Sequence, residues 1–124
     1  MEQELTEIFT VNDNDCISYI SADLPNLLGT YILVKWMEIV SAKLALNAID
    51  DNFITVGQSI DIKHTGMATK GDRISIRSKI IEEEKKKLVF FIRAKLNGTR
   101  IAEAEHTRII ISKKIIARQF KQGT

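Results

Sequence analysis

A single long apolar stripe at helical spacing, followed by a series of alternating runs, dictates the fold class of this chain. From Gly29 or Thr30 to about Ala48, apolar residues recur at steps of three and four, so that they share one face of a helix. The stripe consists of Leu33, Met37, Val40, Leu44 and Ala48. Ile32, Trp36 and Ile39 widen it, so we predict a helix that is covered on more than one side.

The chain after residue 53 is predicted to be antiparallel sheet, because apolar and polar residues alternate along it. The predicted strands cover residues 53–64, 72–83, 87–97 and 99–113. Asn97-Gly98 predicts a tight hairpin between the last two strands, since a primed turn needs positive φ at both central positions. The charged run over residues 82–87 predicts a solvated turn. The basic tail over residues 113–121 is predicted to be a strand end that frays, and contact with an anionic surface is the alternative.

Two short strands are predicted before the helix, over residues 3–10 and 16–20, with a turn over residues 12–15 between them and a loop over residues 21–26. One long helix with five or six strands predicts an α+β fold of the hotdog type, in which an antiparallel sheet wraps around a central helix. We expect residues 1–124 to form one such domain. In this architecture a second copy usually completes the sheet edge and the helix end, so we expect a homodimer, with a tetramer as the alternative.

Composition excludes several classes of function. With 124 residues the chain has room for one core, and a formal net charge of +2 is too small to predict nucleic-acid binding. Charges interrupt every apolar run before it reaches membrane-spanning length, and the N-terminal residues do not resemble a secretory signal. The lone Cys16 excludes an intrachain disulfide and favours a reducing, cytoplasmic location. Two histidines and one cysteine, far apart, predict no metal site.

Three polar residues are candidates for chemistry: Thr30, Glu38 and His64. Thr30 and Glu38 lie eight residues apart, which places them on one side of the helix. A carboxylate among apolar neighbours is costly unless it has a partner or a task. There are structural alternatives: Thr30 is also a suitable N-cap, and Glu38 could face solvent or pair with Lys35.

The two histidines lie on predicted strands. His64 follows Ile60 and Ile62 on the same face and precedes a loop that contains Gly66 and Gly71. His106 shares the face of Ala102, Ala104 and Ile110 in the last strand. A histidine on an apolar face is more often a hydrogen-bonded core residue than a catalyst, so both readings stay open for each histidine.

Several segments resemble the fluoroacetyl-CoA thioesterase-like family of hotdog proteins. Residues 28–38 (LGTYILVKWME) are similar to the family's helix opening, although Tyr31 stands where a proline is usual. Residues 56–64 (VGQSIDIKH) resemble its strand that runs into a histidine, and residues 64–71 (HTGMATKG) match the length of the loop that follows. Residues 101–108 (IAEAEHTR) resemble its last strand, where a histidine is followed by an arginine.

The resemblance implies a catalytic set of Thr30, Glu38 and His64 that hydrolyses a small or medium acyl-CoA at a subunit boundary, with no metal and no cofactor besides the coenzyme A of the substrate. Residues expected to contact the substrate are Gly29, Tyr31, Gly66, Gly71 and His106. His64 would take a proton from water or from Thr30, while Glu38 would either orient this pair or attack the thioester itself. A non-catalytic acyl-CoA-binding module and an enoyl-CoA hydratase are the alternatives, although the Asp/His hydratase motif is not found.

Overall fold

The computed structural model describes residues 3–17 and 23–121. The strands are β1 (Glu4–Thr10), β2 (Cys16–Ile17), β3 (Leu27–Leu28), β4 (Phe53–His64), β5 (Arg73–Glu83), β6 (Lys87–Leu96) and β7 (Thr99–Ser112). The helices are α1 (Thr30–Leu46) and α2 (Lys113–Gln119), with one 3-10 turn at Asp13–Asp15. The predicted strand over residues 16–20 is observed only at β2, because residues 18–20 lie outside the described residues, as do residues 21–22 of the predicted loop.

Five strands form one antiparallel sheet in the order β1-β5-β6-β7-β4. The predicted hairpin is confirmed: Asn97 and Gly98 both have positive φ, at 52° and 82°, and Leu96 pairs with Thr99 across the turn. The predicted solvated turn between β5 and β6 is also confirmed, since residues 82–86 are exposed. Among the described strands, β4 is an edge of this sheet and pairs with β7 alone.

Helix α1 packs against the sheet through the predicted stripe. Leu33, Met37 and Val40 are fully buried, in one core with the inward-facing residues of β5, β6 and β7. Trp36 widens the contact by stacking on Phe9 of β1, with ring centroids 4.9 Å apart. The α+β prediction of an antiparallel sheet around one long helix is therefore confirmed.

The prediction of a frayed strand end over residues 113–121 is wrong, because residues 113–119 form helix α2. Ser112 ends β7 and caps this helix, with its hydroxyl accepting a hydrogen bond from the Lys114 amide at 3.2 Å. None of the helices in residues 3–17 and 23–121 is long and apolar enough to cross a membrane.

The N-terminus of α1 is tied to the loop that follows β4. The amide of Leu28 donates to the carbonyl of Ala68 at 2.8 Å, and the Thr69 hydroxyl donates to the carbonyl of Asn26 at 2.8 Å. Leu27 also forms an isolated bridge with Thr69. These contacts hold the first turn of the helix beside the end of β4.

Candidate functional site

Thr30 and His64 lie in direct contact at the start of α1. The Thr30 hydroxyl lies 2.8 Å from Nδ1 of His64. Thr30 is the first residue of the helix, and the N-cap position belongs to Gly29, so the alternative reading of Thr30 as an N-cap does not hold. A hydroxyl within hydrogen-bonding distance of an imidazole is the arrangement in which a base can activate a nucleophile.

The other ring nitrogen of His64 has no partner in the described part of the chain. Nε2 is buried, and among the described residues no side chain or backbone group bonds to it. Because an unpaired buried polar atom is costly, such an atom in a folded protein calls for a partner from outside the described residues. Nδ1 of His64 therefore faces the Thr30 hydroxyl, whereas Nε2 needs a hydrogen-bond partner from outside the described residues.

The helix start next to this pair carries uncapped amides. Gly29 has extended backbone and offers no side-chain cap, so the first turn of α1 keeps amide groups free of side-chain acceptors. The free amides and the helix dipole favour negative charge at this point. A thioester carbonyl placed here would have its developing oxyanion stabilised.

Glu38 does not join the pair within one protomer. It lies two helical turns beyond Thr30, or about 12 Å along the helix axis. Its carboxylate pairs with Arg108 of β7 at 3.8 Å, rather than with Lys35 as one alternative had it. The Glu38 side chain is 45% exposed, whereas that of Arg108 is only 8% exposed. One side of the Glu38 carboxylate is therefore accessible to solvent, while the buried guanidinium of Arg108 lies against the other side.

The guanidinium of Arg108 is fixed from three directions. Its Nε donates to the Thr55 hydroxyl at 2.8 Å, and one terminal nitrogen donates to the Thr55 carbonyl at 3.0 Å. The other terminal nitrogen faces both Nε2 of His106, at 3.2 Å, and the Glu38 carboxylate. A planar donor held in this way gives the carboxylate a defined position.

His106 is a fully buried hydrogen-bonding residue behind this ion pair. Its Nδ1 lies 2.8 Å from the carbonyl oxygen of Ser59, and its ring packs at a tilt on Phe90. Burial lowers the pKa of the imidazole below its usual 6.5. The sequence predicts that His106 contacts substrate, but in the protomer its ring has no exposed surface through which it could do so.

Gly57 supplies the space in which the Glu38 carboxylate lies. A Cβ added at Gly57 would overlap the carboxylate oxygen of Glu38 and would also approach His106 and Arg108. Gly57 is followed by a shift in the β4–β7 register before Ser59. A glycine inside a strand often marks such a close approach.

The remaining predicted substrate contacts lie at the helix start and in the loop that follows β4. The exposed ring of Tyr31 covers Gly29, where an added Cβ would lie 2.6 Å from the ring. Gly66 packs against Ile101 and donates its amide to the Ile101 carbonyl at 2.9 Å. Gly71 has φ of 93° and turns the loop toward β5, with open space at its Cβ position.

The sequence analysis did not predict that Arg108, Thr55 and Gly57 form the environment of the Glu38 carboxylate. The available signal was alternation along the last strand, which puts Arg108 on the inward face with His106. An arginine on a buried face requires a partner, so Glu38 could have been proposed as that partner.

A cavity of about 620 Å³ opens at the opposite end of α1, beside Ala48, Phe53 and Ile115, and does not include Thr30 or His64. Among the residues that the structure describes, no group of three or more histidine, cysteine or acidic side chains could hold a metal ion.

Comparisons with known proteins identify a family and a fold for this chain. A sequence model of the family described as fluoroacetyl-CoA-specific thioesterase, FlK, matches residues 11–114. The structure of the fluoroacetyl-CoA thioesterase FlK is similar, with a TM-score of 0.82 at 19% identity over 99% of this chain and 96% of that one. Two further structures agree in fold. A thioesterase superfamily member from Thermus thermophilus has a TM-score of 0.85 at 18% identity, over 97% of this chain and 89% of that one. A hot-dog-like protein from Thermanaerovibrio acidaminovorans has a TM-score of 0.84 at 15% identity, over 96% and 88%.

A comparison with curated proteins found no match. The structural likenesses confirm the hotdog fold. The family match favours a thioester hydrolase over the binding module and the hydratase.

Proposed function

This chain belongs to the fluoroacetyl-CoA-specific thioesterase family and is a thioester hydrolase, and on that basis we propose that it hydrolyses a small or medium acyl-CoA at a site shared by two protomers. In this proposal Thr30 and His64 come from one protomer and the carboxylate comes from Glu38 of the partner subunit. The reaction needs no metal and no cofactor besides the coenzyme A of the substrate.

The observation that carries the proposal is the unpaired Nε2 of His64. This nitrogen is buried while Nδ1 faces the Thr30 hydroxyl at 2.8 Å. A carboxylate that accepted the Nε2 proton would complete a hydroxyl–imidazole–carboxylate series of the kind that activates nucleophiles. The protomer's own Glu38 lies at Gly57 and Arg108, two turns away, which is why we assign this role to the partner.

The edge of the sheet supports the assignment to a homodimer. Within residues 3–17 and 23–121, β4 has a neighbouring strand on one side only, and it carries both His64 and the Gly57 that adjoins Glu38. The apolar side chains of Phe53 and Val56 are more than a third exposed on the same strand. A two-fold axis beside β4 would cover these side chains and would bring each Glu38 toward the other protomer's His64.

The proposed reaction has two stages. First, Thr30 Oγ1 attacks the thioester carbonyl as its proton passes to Nδ1 of His64; the C–S bond breaks, and the departing thiolate takes this proton. The tetrahedral oxyanion lies against the free amides at the start of α1. Second, His64 takes a proton from water, and the water oxygen attacks the carbonyl of the acyl-threonine ester. The bond from the acyl carbon to Oγ1 breaks, Oγ1 takes the proton back from His64, and the free acid leaves.

A panel of short, branched and aromatic acyl-CoAs, with a thiol reagent present, tests the activity. Wild-type protein is expected to release coenzyme A from at least one member, and Glu38→Gln is expected to reduce that release strongly. Lys35→Gln, an exposed change one turn earlier in α1, serves as the control. Absence of release across the panel would refute the proposal.

Mixed dimers test whether Glu38 acts across the interface. Thr30→Val and Glu38→Gln proteins are each expected to be nearly inactive, whereas a refolded equal mixture should recover about a quarter of wild-type activity. Half of the dimers are then mixed, and each mixed dimer holds one intact site. No recovery, with mixed dimers demonstrated by two affinity tags, would mean that all three residues act within one protomer.

The alternative route, in which Glu38 attacks the thioester itself, gives a different covalent product. Rapid quenching during turnover should yield a peptide containing Thr30 that has gained the acyl mass. If instead turnover in ¹⁸O-labelled water placed the label in the Glu38 carboxylate, the attacking group would be Glu38.

A free thiol at Cys16 agrees with the cytoplasmic location that we also propose.

A further inference from the structure

We propose that His106 is a positioning residue for the Glu38 carboxylate. In its neutral form, with the proton on Nδ1, His106 links the register shift in β4 to Arg108, and this link fixes the carboxylate. The proposal deepens the function proposed above and rests on it for the role of Glu38. His106 itself touches neither substrate nor reacting atoms, because its ring is fully buried.

The two hydrogen bonds of His106 allow one form of the ring. The Ser59 carbonyl oxygen, 2.8 Å from Nδ1, can only accept, so Nδ1 must carry a proton. The Arg108 guanidinium, 3.2 Å from Nε2, can only donate, so Nε2 must present its lone pair. A second proton would place two donors face to face. The ring is therefore held as the neutral Nδ1–H tautomer.

Among the described residues, the charged groups that influence the His106 ring are Arg108 and Glu38. Arg108 lies on the same strand, and Glu38 of α1 lies beyond it. Ser59 of β4 contributes a carbonyl, and Phe90 of β6 contributes an apolar ring. Loss of solvation has the largest effect on the pKa of the imidazole and lowers it, as the neighbouring arginine also does. The hydrogen bond to Ser59 and the charge of Glu38 act in the opposite direction and are outweighed.

His106 contacts both elements that lie against the Glu38 carboxylate, strand β4 and Arg108. Through Ser59 it holds β4 where the register shifts after Gly57, the glycine whose missing side chain leaves room for Glu38. Through Nε2 it holds the terminal nitrogen of Arg108 that faces the same carboxylate. The Glu38 side chain is 45% exposed, and in this proposal Arg108 and the space at Gly57 together set the orientation of its carboxylate. Misplacing a catalytic group by about 1 Å can cost about 100-fold in rate.

Nitrogen NMR of ¹⁵N-histidine-labelled protein tests the tautomer directly. With one resonance set for each of the two histidines, His106→Gln identifies its own signals by their loss. We expect a protonated Nδ1 and a bare Nε2 at His106, unchanged from about pH 6 to about pH 8. A protonated Nε2 or an imidazolium in that range would overturn the proposal. This measurement needs no substrate, so it stands even if the protein does not hydrolyse acyl-CoA.

Two substitutions separate the two contacts. Asn at this position can keep a donor near Nδ1 for Ser59, and Gln can keep an acceptor near Nε2 for Arg108. We expect His106→Asn and His106→Gln each to lower kcat by about 10-fold to 100-fold with KM little changed, because a displaced Glu38 acts on the chemical step. Circular dichroism and thermal unfolding confirm that each variant folds.

The decisive comparison repeats these changes in a Glu38→Gln background. If His106 acts through Glu38, the substitutions should cost almost nothing further once the carboxylate is absent. An undiminished loss in that background would show that His106 serves only the stability of the sheet and would overturn the proposal. Loss of all activity in the wild type would instead count against the proposed function and leave the NMR result to decide on the tautomer.

Discussion

The carboxylate of Glu38 occupies the space that a side chain at residue 57 would fill. A Cβ built on Gly57 overlaps the Glu38 oxygen, while Arg108 pairs with the same oxygen from within the protein. Helix α1 and strand β4 therefore approach one another at a point where one residue must be glycine for the carboxylate to keep its position.

Gly57→Ala should lower kcat by about 10-fold to 100-fold, because the added methyl displaces the carboxylate. Thermal stability should change little, since the obstructing atom is the end of a side chain that can move aside. Steady-state kinetics and a thermal melt measure the two effects. Lys35→Gln, an exposed change on α1, is the control and should be nearly neutral in both.

Removing the hydroxyl that faces His64 should abolish most activity. Thr30→Val keeps the shape of the side chain but has no proton to pass to Nδ1 of His64, so kcat should fall by at least about 1,000-fold. Thr30→Ser retains the hydroxyl and should keep a measurable part of the rate. Equal activity of the Val and Ser variants on the same acyl-CoA would contradict a nucleophilic role for Thr30.

The buried serine pair between α1 and β5 allows a stability test away from the site. Ser41 and Ser78 are fully buried, with their hydroxyls 2.8 Å apart. Ser41→Ala should cost about 1–3 kcal/mol of unfolding free energy, because it strands the Ser78 hydroxyl. The double Ala variant should be less destabilised than the sum of the two single ones, which urea unfolding measures. Simple additivity would mean that the two hydroxyls are satisfied independently.

The lowered pKa of His106 predicts a pH dependence of stability. In the unfolded chain this imidazole takes up a proton near its usual pKa of about 6.5, whereas the folded protein resists protonation until lower pH. Between the two pKa values the unfolded state binds more protons, so the free energy of unfolding rises with pH through that window and levels off above it. Urea unfolding at about pH 5.5 and about pH 7.5 should show this rise. His106→Gln should reduce it, and an unchanged pH slope would contradict the prediction.

Local patterns in the sequence predicted most of the fold. The spacing of Leu33, Met37 and Val40 determines which face of α1 is buried, because a helix brings every third and fourth residue to one side. Asn97-Gly98 determines a hairpin, because these two residues tolerate the positive φ of its turn. Helix α2 was missed because the isoleucines at its start suit a strand equally well, and Ser112 acts as a cap only once β7 ends there.

The candidate site likewise has features that follow from local sequence and features that depend on tertiary structure. By itself the sequence determined that Thr30 begins a helix and that His64 ends an alternating strand, since both statements depend on neighbours in the chain. Only the tertiary structure decided that those two side chains meet, while Glu38 instead lies at Gly57 beside Arg108. The physical reason is that these contacts join residues 19 to 70 positions apart along the chain. Their geometry follows from how α1 crosses the sheet and from the register of β4 against β7, and no local periodicity encodes either of these.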